Sequence, residues 1–411
     1  VMADEPGKKG YWERALEEPW QQWFPWGITA AIVAVFAVII VVGPIGVPFR
    51  TDNQQLGFRG TGMANVYKSD EYAELMKQIE AVPPSDAPYT YEEGEEVTLA
   101  GDVYENVQVL GHVSEDNFLR LMTAITEWVS PEQGCAYCHG EEGNFASDEY
   151  YPKVVSRRMI QMTQNINANW QSHVAPSGVN CYTCHRGMNV PQYVWFDEEP
   201  VEDGTLGWRD NQNVVNMRAK GTSLPSNIYS KFLLNDDNIR VISQNSNMDT
   251  WEGRYVQDTE WSFALMIHMS KGLGVNCAYC HNTRSMSQWE QSPPQRTTAW
   301  YGIRMMRDVN ANYLAPLQPV YPDFRLGPTG DAPKANCYTC HQGVYKPLFA
   351  TPMIENWPEL AAPGPDQPGY VEAAAPAETA AAEVPEGAAD PAATEEAAAA
   401  APAAEEAPAT E

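Results

Sequence analysis

Four short segments of the chain share the pattern C-x-x-C-H: CAYCH at 135–139, CYTCH at 181–185, CAYCH at 277–281 and CYTCH at 337–341. Two thiols three positions apart lie on one side of a helical turn, where they can add to the two vinyl groups of one haem. The pattern therefore predicts four covalently bound c-type haems. The attachment residues are Cys135, Cys138, Cys181, Cys184, Cys277, Cys280, Cys337 and Cys340. His139, His185, His281 and His341 follow them and are expected to bind one face of each iron.

Zinc is the alternative ligand of paired C-x-x-C segments. A zinc site does not need a histidine directly after each second cysteine, whereas all four copies have one. The motifs use all 8 cysteines, so none is left over for a disulfide or a lipid anchor. Because c-type haem is attached after export, residues beyond about 50 are expected on the periplasmic side.

The four motifs alternate in sequence, which indicates an internal repeat. The first and third read CAYCH, and the second and fourth read NCYTCH. Upstream, INAN at 166–169 matches VNAN at 309–312, and Leu-Met at 121–122 matches Leu-Met at 265–266. We therefore predict a mainly α-helical fold with little sheet, built from two duplicated two-haem units at 114–200 and 251–350, with a connector at 201–250.

Methionines on predicted helices are candidates for the sixth ligand of the first and third irons. Met122 lies on a predicted helix over 114–129, a short distance before the first motif. Met266 has a similar offset from the third motif. Isolated methionines on such faces usually pack in a core, but the matched offset favours ligation. His268 and Met269 remain open as competitors for the third iron.

The second and fourth motifs differ in the ligands available to them. Met159 precedes the second motif on a predicted helix over 152–170, with Met162 as its rival. Aligning the two INAN-like segments puts Gly302 opposite Met159, so the fourth unit lacks that methionine. Met305 could replace it, but His173 is also available and is predicted to fill the position.

An apolar segment precedes the repeats. Residues 27–47 are long enough for a membrane-spanning helix, follow a cluster of Trp and Phe, and lack the short core and cleavage site of a signal peptide. We expect a retained single-pass anchor, with 1–26 in the cytoplasm and 48–113 as an irregular lead-in. The Ala/Pro/Glu-rich composition of the tail, 351–411, predicts disorder.

The formal net charge of −28 argues against a nucleic-acid surface and suits a basic protein partner, attracted by electrostatic steering.

These motifs resemble the tetrahaem cytochrome subunit of photosynthetic reaction centres. The likeness covers roughly 59–347 and rests on RLM before CAYCHG, VVSRRMIQMTQNINANW, the histidine ahead of GVNCYTCHRG, FALM before NCAYCHN, and NCYTCHQG. It implies His/Met ligation by Met122, Met159 and Met266, and His/His ligation of the fourth iron by His173.

The resemblance also implies a linear arrangement of haems in a photosynthetic membrane, with the third haem nearest the bacteriochlorophyll special pair. The expected partners are the reaction-centre core subunits and a soluble cytochrome c or high-potential iron–sulfur protein. Some members have a lipidated N-terminal cysteine, which this sequence does not show.

Two other functions compete with this interpretation. A membrane-anchored respiratory tetrahaem quinol dehydrogenase would share the anchor and the four motifs, but such proteins favour histidine ligands, and only three histidines lie outside the motifs. A catalytic multihaem enzyme would need an open iron. Credible sixth ligands for all four irons favour an electron carrier that is not an enzyme.

Overall fold

The computed structural model describes residues 19–42, 51–56, 64–199, 215, 221–239, 241 and 256–363, apart from the side chains of 19–23, 40–42 and 256–257. The chain divides into two compact units, Val1–Met76 and Lys77–Glu411. The tail beyond residue 363 and most of the predicted connector at 201–250 lie outside the described residues.

The smaller unit contains a long helix and a hairpin. Helix α1 spans Pro19–Val42. Strand β1, Thr51–Gln55, pairs antiparallel with β2, Ala64–Lys68, in the one sheet of the described chain. Helix α2, Ser69–Glu80, follows and contains the boundary between the units. The lead-in is therefore more regular than the sequence suggested, because SDEYAELMKQIE has acidic residues in its first turn and Lys77 in its last.

The predicted anchor, 27–47, overlaps α1 and then continues beyond the described residues. Within the part of the chain that the structure describes, no helix has both the length and the apolar character needed to cross a membrane.

The larger unit is mainly helical. Its labelled helices are α3 (Glu115–Val129), α4 (Tyr151–Asn169), α5 (Cys181–His185), α6 (Val256–Leu273), α7 (Gln295–Asp308) and α8 (Cys337–His341). Single turns of α-helix lie at Ala100–Val103, Ala136–His139 and Gln171–Val174. Wider π turns occur at Ser230–Leu234 and Val309–Leu314, and 3₁₀ turns at Cys277–Tyr279, Ala315–Val320, Asp323–Arg325, Pro347–Ala350 and Pro358–Leu360.

Helix α3 shows how sequence periodicity determines these elements. Leu121, Ala124 and Trp128 are buried and recur at intervals of three and four, so one face packs against the core. Glu115 and Asp116 occupy the first turn, where negative charge favours the helix N-terminus. The helices at 114–129 and 152–170 were predicted within one residue at each end.

Two apolar clusters form the core of the larger unit. One joins α6, α7 and the π turn at 230–234, through residues such as Phe232, Leu265 and Met306. The other packs α3 against the segment 348–360, where Trp128 meets Trp357 edge to face at 4.7 Å. Residues 351–360, which the sequence analysis placed in the tail, therefore belong to the fold, because the Trp357 and Leu360 side chains are buried.

Candidate haem-binding site

The second and fourth motifs form short helices because each is preceded by an asparagine cap. The Asn180 side chain accepts a hydrogen bond from the Thr183 amide at 3.2 Å, and the Thr183 hydroxyl accepts one from the Asn180 amide at 3.1 Å. Asn336 and Thr339 repeat this capping box at the start of α8. Such reciprocal bonds satisfy amides that a helix leaves unpaired at its N-terminus. The N-C-Y-T sequence is thus itself a helix start.

A second asparagine side chain forms two hydrogen bonds with the backbone of the residue before each cap, and we call it the clamp asparagine. Asn167 accepts from the Val179 amide and donates to its carbonyl oxygen, at 2.9 and 2.8 Å. Asn310 makes the same two bonds to Ala335, at 2.8 and 2.9 Å. The clamp asparagines are the ones that align in the INAN and VNAN segments.

The helices of the second and fourth motifs lie in a continuous series of helix contacts with α3 and α6. Helix α3 packs on α5, α5 packs on α8, and α8 packs on α6. The Gly187 amide donates to the Trp128 carbonyl on α3 at 2.9 Å, and the Gly343 amide donates to the Gly272 carbonyl on α6 at 2.8 Å. A Cβ on Gly272 would lie 3.2 Å from the Tyr338 amide nitrogen, so glycine permits this approach between backbones. The helices carrying Met122 and Met266 thus lie beside the second and fourth motifs.

The contact between α5 and α8 brings two cysteines together. Cys184 and Cys340 have Cα atoms 4.5 Å apart, and the structure joins them in a disulfide. The sequence analysis expected no disulfide because every cysteine belongs to a haem-attachment motif, and spacing along the sequence does not reveal this contact between two motifs. Thioether attachment at both motifs uses these same sulfurs, so haem and disulfide exclude each other there.

Three motif histidines present one ring nitrogen to a backbone carbonyl. The Nδ1 atoms of His185, His281 and His341 bond the carbonyl oxygens that lie three to five residues later, at 2.8, 3.0 and 3.0 Å. A carbonyl accepts from Nδ1–H, which leaves Nε2 as the free lone pair for a metal. His139 differs, since its neighbour is Phe145, which contacts it through its backbone and whose ring centroid lies 4.9 Å from that of the imidazole.

Burial keeps these imidazoles neutral, which is the form that binds iron. Burial lowers the pKa of His139, His185 and His281 below the usual value. Burial and the neighbouring His173 ring lower the pKa of His341 to about 4. None of these rings is therefore protonated to an appreciable extent at neutral pH.

The structure brings His173 of the first half against His341 of the second. Their ring centroids lie 6.1 Å apart. His173 Nδ1 bonds the Thr298 carbonyl oxygen at 2.9 Å, while His341 Nδ1 bonds that of Val344. An imidazole nitrogen binds a transition metal at about 2.0 Å, so two rings on opposite sides of one ion have centroids about 6 Å apart. At this separation the two rings would be able to hold one haem iron between them.

Comparison with known proteins identifies the family. The profile described as "Photosynthetic reaction centre cytochrome C subunit" matches residues 46–361. A protein named photosynthetic reaction center cytochrome c subunit from Roseobacter denitrificans is 46% identical over 345 residues, covering 80% of this chain and 90% of that protein. Proteins of the same name from Rubrivivax gelatinosus and Thermochromatium tepidum are 44% and 41% identical; each match covers 81% of this chain, with 89% and 80% of the relatives. The chain belongs to the family of reaction-centre cytochrome c subunits.

Membership makes this cytochrome subunit a photosynthetic electron carrier with covalently bound haem c, associated with a reaction centre. The residues described above suit that cofactor: paired thiols on single turns, and buried neutral imidazoles with Nε2 free. Haem supplies a one-electron iron couple when bound. The cysteine thiols would hold the haem covalently, and the motif imidazoles, oriented by their backbone hydrogen bonds, would bind its iron.

The methionines assigned to this reaction-centre cytochrome lie at the edges of its core. Met122 packs against the cluster around α3, and Met159 and Met266 pack against the cluster around α6 and α7. All three are only partly buried. Their assignment as sixth ligands stays a prediction.

The rival ligands have different surroundings. Met269 is 9% exposed and Met305 is 6% exposed, both inside the larger core cluster, whereas Met162 lies partly buried at its edge. The His268 ring is buried edge to face on Tyr229, with Nδ1 2.9 Å from the tyrosine hydroxyl. These contacts give Met269, Met305 and His268 packing roles of their own.

Two residues of this site were not predicted from the sequence. They are Thr298, whose carbonyl holds His173, and Arg186, which follows the second motif and reaches the fourth. No sequence signal reveals a carbonyl acceptor. The difference between CHRG at 184–187 and CHQG at 340–343 is the signal that could have drawn attention to Arg186.

Proposed function

We propose that the chain binds four haems as two duplicated two-haem units and passes electrons from a soluble periplasmic carrier to the photo-oxidised special pair. The carrier would be a cytochrome c or a high-potential iron–sulfur protein. Helix contacts run from α3, which carries Met122, through the second and fourth motifs to α6, which carries Met266, and this continuity supports a connected path for electrons. An N-terminal single-pass anchor within 27–47 would hold the haem domain at the periplasmic face.

The observation that carries this proposal is the opposition of His173 and His341, with ring centroids 6.1 Å apart. Two protein ligands on one iron leave no position for a substrate, which favours electron transfer over catalysis at that site. Met122, Met159 and Met266 would close the other three irons in the same way. The respiratory quinol dehydrogenase is disfavoured because the matched relatives are reaction-centre subunits over most of their length.

The acidic composition supports the choice of donor. A net charge of −28 attracts a basic soluble carrier, and the rate of electron delivery should fall as salt screens that attraction.

Flash spectroscopy on membranes that contain this protein tests the proposal. After a short flash, the c-type α-band should bleach as the special pair recovers, at a rate independent of membrane concentration. Membranes from a strain without this chain serve as the control and should lack the fast recovery. Recovery of the pair with no oxidation of bound haem would contradict the proposal.

A further inference from the structure

The His173 ring packs directly against the backbone of helix α7 at residue 302. This close approach is possible because residue 302 is glycine and has no side chain. A Cβ placed on Gly302 would lie 2.5 Å from Cε1, 2.8 Å from Nδ1 and 3.1 Å from Nε2 of His173. Carbon atoms in contact normally stay about 3.5–4.0 Å apart. A side chain at 302 would therefore collide with the imidazole itself.

The same helix also orients the ring. The carbonyl oxygen of Thr298, one turn before Gly302, lies 2.9 Å from His173 Nδ1. The short helix Gln171–Val174, which carries His173, packs on α7. The Gly302 backbone and the Thr298 carbonyl together fix the ring, whose Nδ1 is used by the carbonyl and whose centroid lies 6.1 Å from that of His341.

The first half of the chain has methionine where the second half has this glycine. Met159 and Gly302 each precede their clamp asparagine, Asn167 or Asn310, by eight residues. The clamps make matching bonds, so the two positions correspond in structure as well as in sequence.

We propose that Gly302 is a positioning residue that selects histidine rather than methionine as the sixth ligand of the fourth iron. Without a side chain at 302, the helix supplies no ligand of its own and instead accepts a ring from the other half. With a methionine there, the helix would supply the ligand and exclude the ring. This inference rests on the proposed four-haem function, and it concerns one axial ligand.

The test uses the full-length protein with its haems, in detergent-solubilised membranes. The Gly302→Ala variant should displace His173, so that one of the four low-spin haems becomes high-spin and binds added free imidazole. The other three should keep their spectra, and the mass should still show four haems. Alanine is a better helix former than glycine, so a role in the helix alone predicts no loss. Ala299→Gly is the matched control on the same helix, and its ligand spectrum should not change.

A second variant keeps the inference testable if Gly302→Ala does not mature. The double variant Gly302→Met/His173→Ala should give four low-spin haems, with one additional methionine–iron charge-transfer band and a higher potential for the fourth site. An unchanged bis-histidine spectrum in Gly302→Ala would overturn the inference, and so would a double variant without the new methionine band. A wild-type protein with no bis-histidine haem would instead refute the proposed ligation by His173. This result distinguishes a failure of the proposed function from a failure of the inference about Gly302.

Discussion

The guanidinium of Arg186 donates a hydrogen bond from Nη2 to the carbonyl oxygen of Cys340 at 3.2 Å, and so links the second motif to the fourth. Its Nε donates to the Thr183 carbonyl at 3.1 Å. Burial lowers the pKa of Arg186 to about 10, so the group is still charged at neutral pH. Its positive charge is one cause of the lowered pKa of His341, after burial and His173.

Removing that charge should lower the potential of the fourth haem. A nearby cation disfavours ferric iron for the same reason that it disfavours a protonated imidazole. We expect Arg186→Gln to lower one potential by tens of millivolts, where about 59 mV is a tenfold change for a one-electron couple. Potentiometric titration measures it. Arg186→Lys keeps the charge and should shift the potential less.

Gln342 provides the reciprocal variant. It occupies the same left-handed backbone conformation after the fourth motif that Arg186 adopts after the second. Gln342→Arg should raise a potential in the same titration. If Arg186→Gln and Gln342→Arg both leave all four haem potentials unchanged in the titration, Arg186 has no electrostatic role.

Replacing His173 with methionine should raise a single potential. Methionine stabilises ferrous haem relative to histidine. We expect His173→Met to shift the fourth site upward and to leave the other three titration steps nearly unchanged. An unaltered fourth step would show that His173 is not a ligand.

Each motif should account for one haem. Replacing both cysteines of a motif with serine, for example Cys277 and Cys280, should lower the intact mass by one haem and leave haem staining at about three quarters. The wild-type mass, with four haems, is the reference. A wild-type mass with fewer than four would contradict the assignment.

A buried ion pair ties α3 to the final described turn of the chain. Arg120 donates to Glu359 at 2.9 Å, and only 9% and 5% of their side chains are exposed. The guanidinium also stacks on Trp357 at 4.1 Å. Removing one partner of a buried pair leaves an uncompensated charge, so Arg120→Met should lower the free energy of unfolding by about 3 kcal/mol. Chemical denaturation in detergent measures the loss.

Two comparisons isolate the burial effect. Lys68→Met breaks an exposed pair with Glu71, whose side chains are 64% and 59% exposed, and should cost less than about 1 kcal/mol. Adding Glu359→Leu to Arg120→Met should recover part of the loss, because the buried charge is then removed. Equal effects of Arg120→Met and Lys68→Met would show that the Arg120–Glu359 pair is not buried in solution.

Stability should depend on pH through Asp148. A hydrogen bond from Arg157 is the main cause that lowers the pKa of Asp148 to about 2. A carboxyl whose pKa is lower in the folded state stabilises the fold above its unfolded pKa, and that contribution disappears as the pH falls through about 2. Because 40% of the Asp148 side chain is exposed, we expect Asp148→Asn to cost under about 1 kcal/mol at pH 7.

The free energies of unfolding of the wild-type protein and of Asp148→Asn should converge near pH 2. In an Arg157→Met background the difference at pH 7 should shrink, because the main partner is gone. A difference that stays constant from pH 7 to pH 2 would contradict the ion pair.

Local patterns in the sequence predicted the two helices before the first and second motifs well, and the assignment of iron ligands stays a prediction. Helix α3 follows from apolar spacing and an acidic first turn, and the glycine at 302, where the repeat would place a methionine, is enough to indicate His173. What could not be predicted depends on contacts between distant segments. The pairing of Cys184 with Cys340 and the anchoring of Glu359 by Arg120 join residues far apart in sequence.

The polar hairpin also escaped prediction, since β1, TDNQQ, has no alternation of apolar and polar residues.

The contact of His173 with residues in the second half of the chain has a consequence for biogenesis. Its acceptor, Thr298, lies 125 positions later in the chain. Synthesis proceeds from the N-terminus, so the second haem can be attached while Thr298 and Gly302 are not yet made. During that interval neither the Thr298 carbonyl nor the Gly302 backbone can hold the His173 ring. The position of His173 is therefore completed only after the second half of the chain has been made.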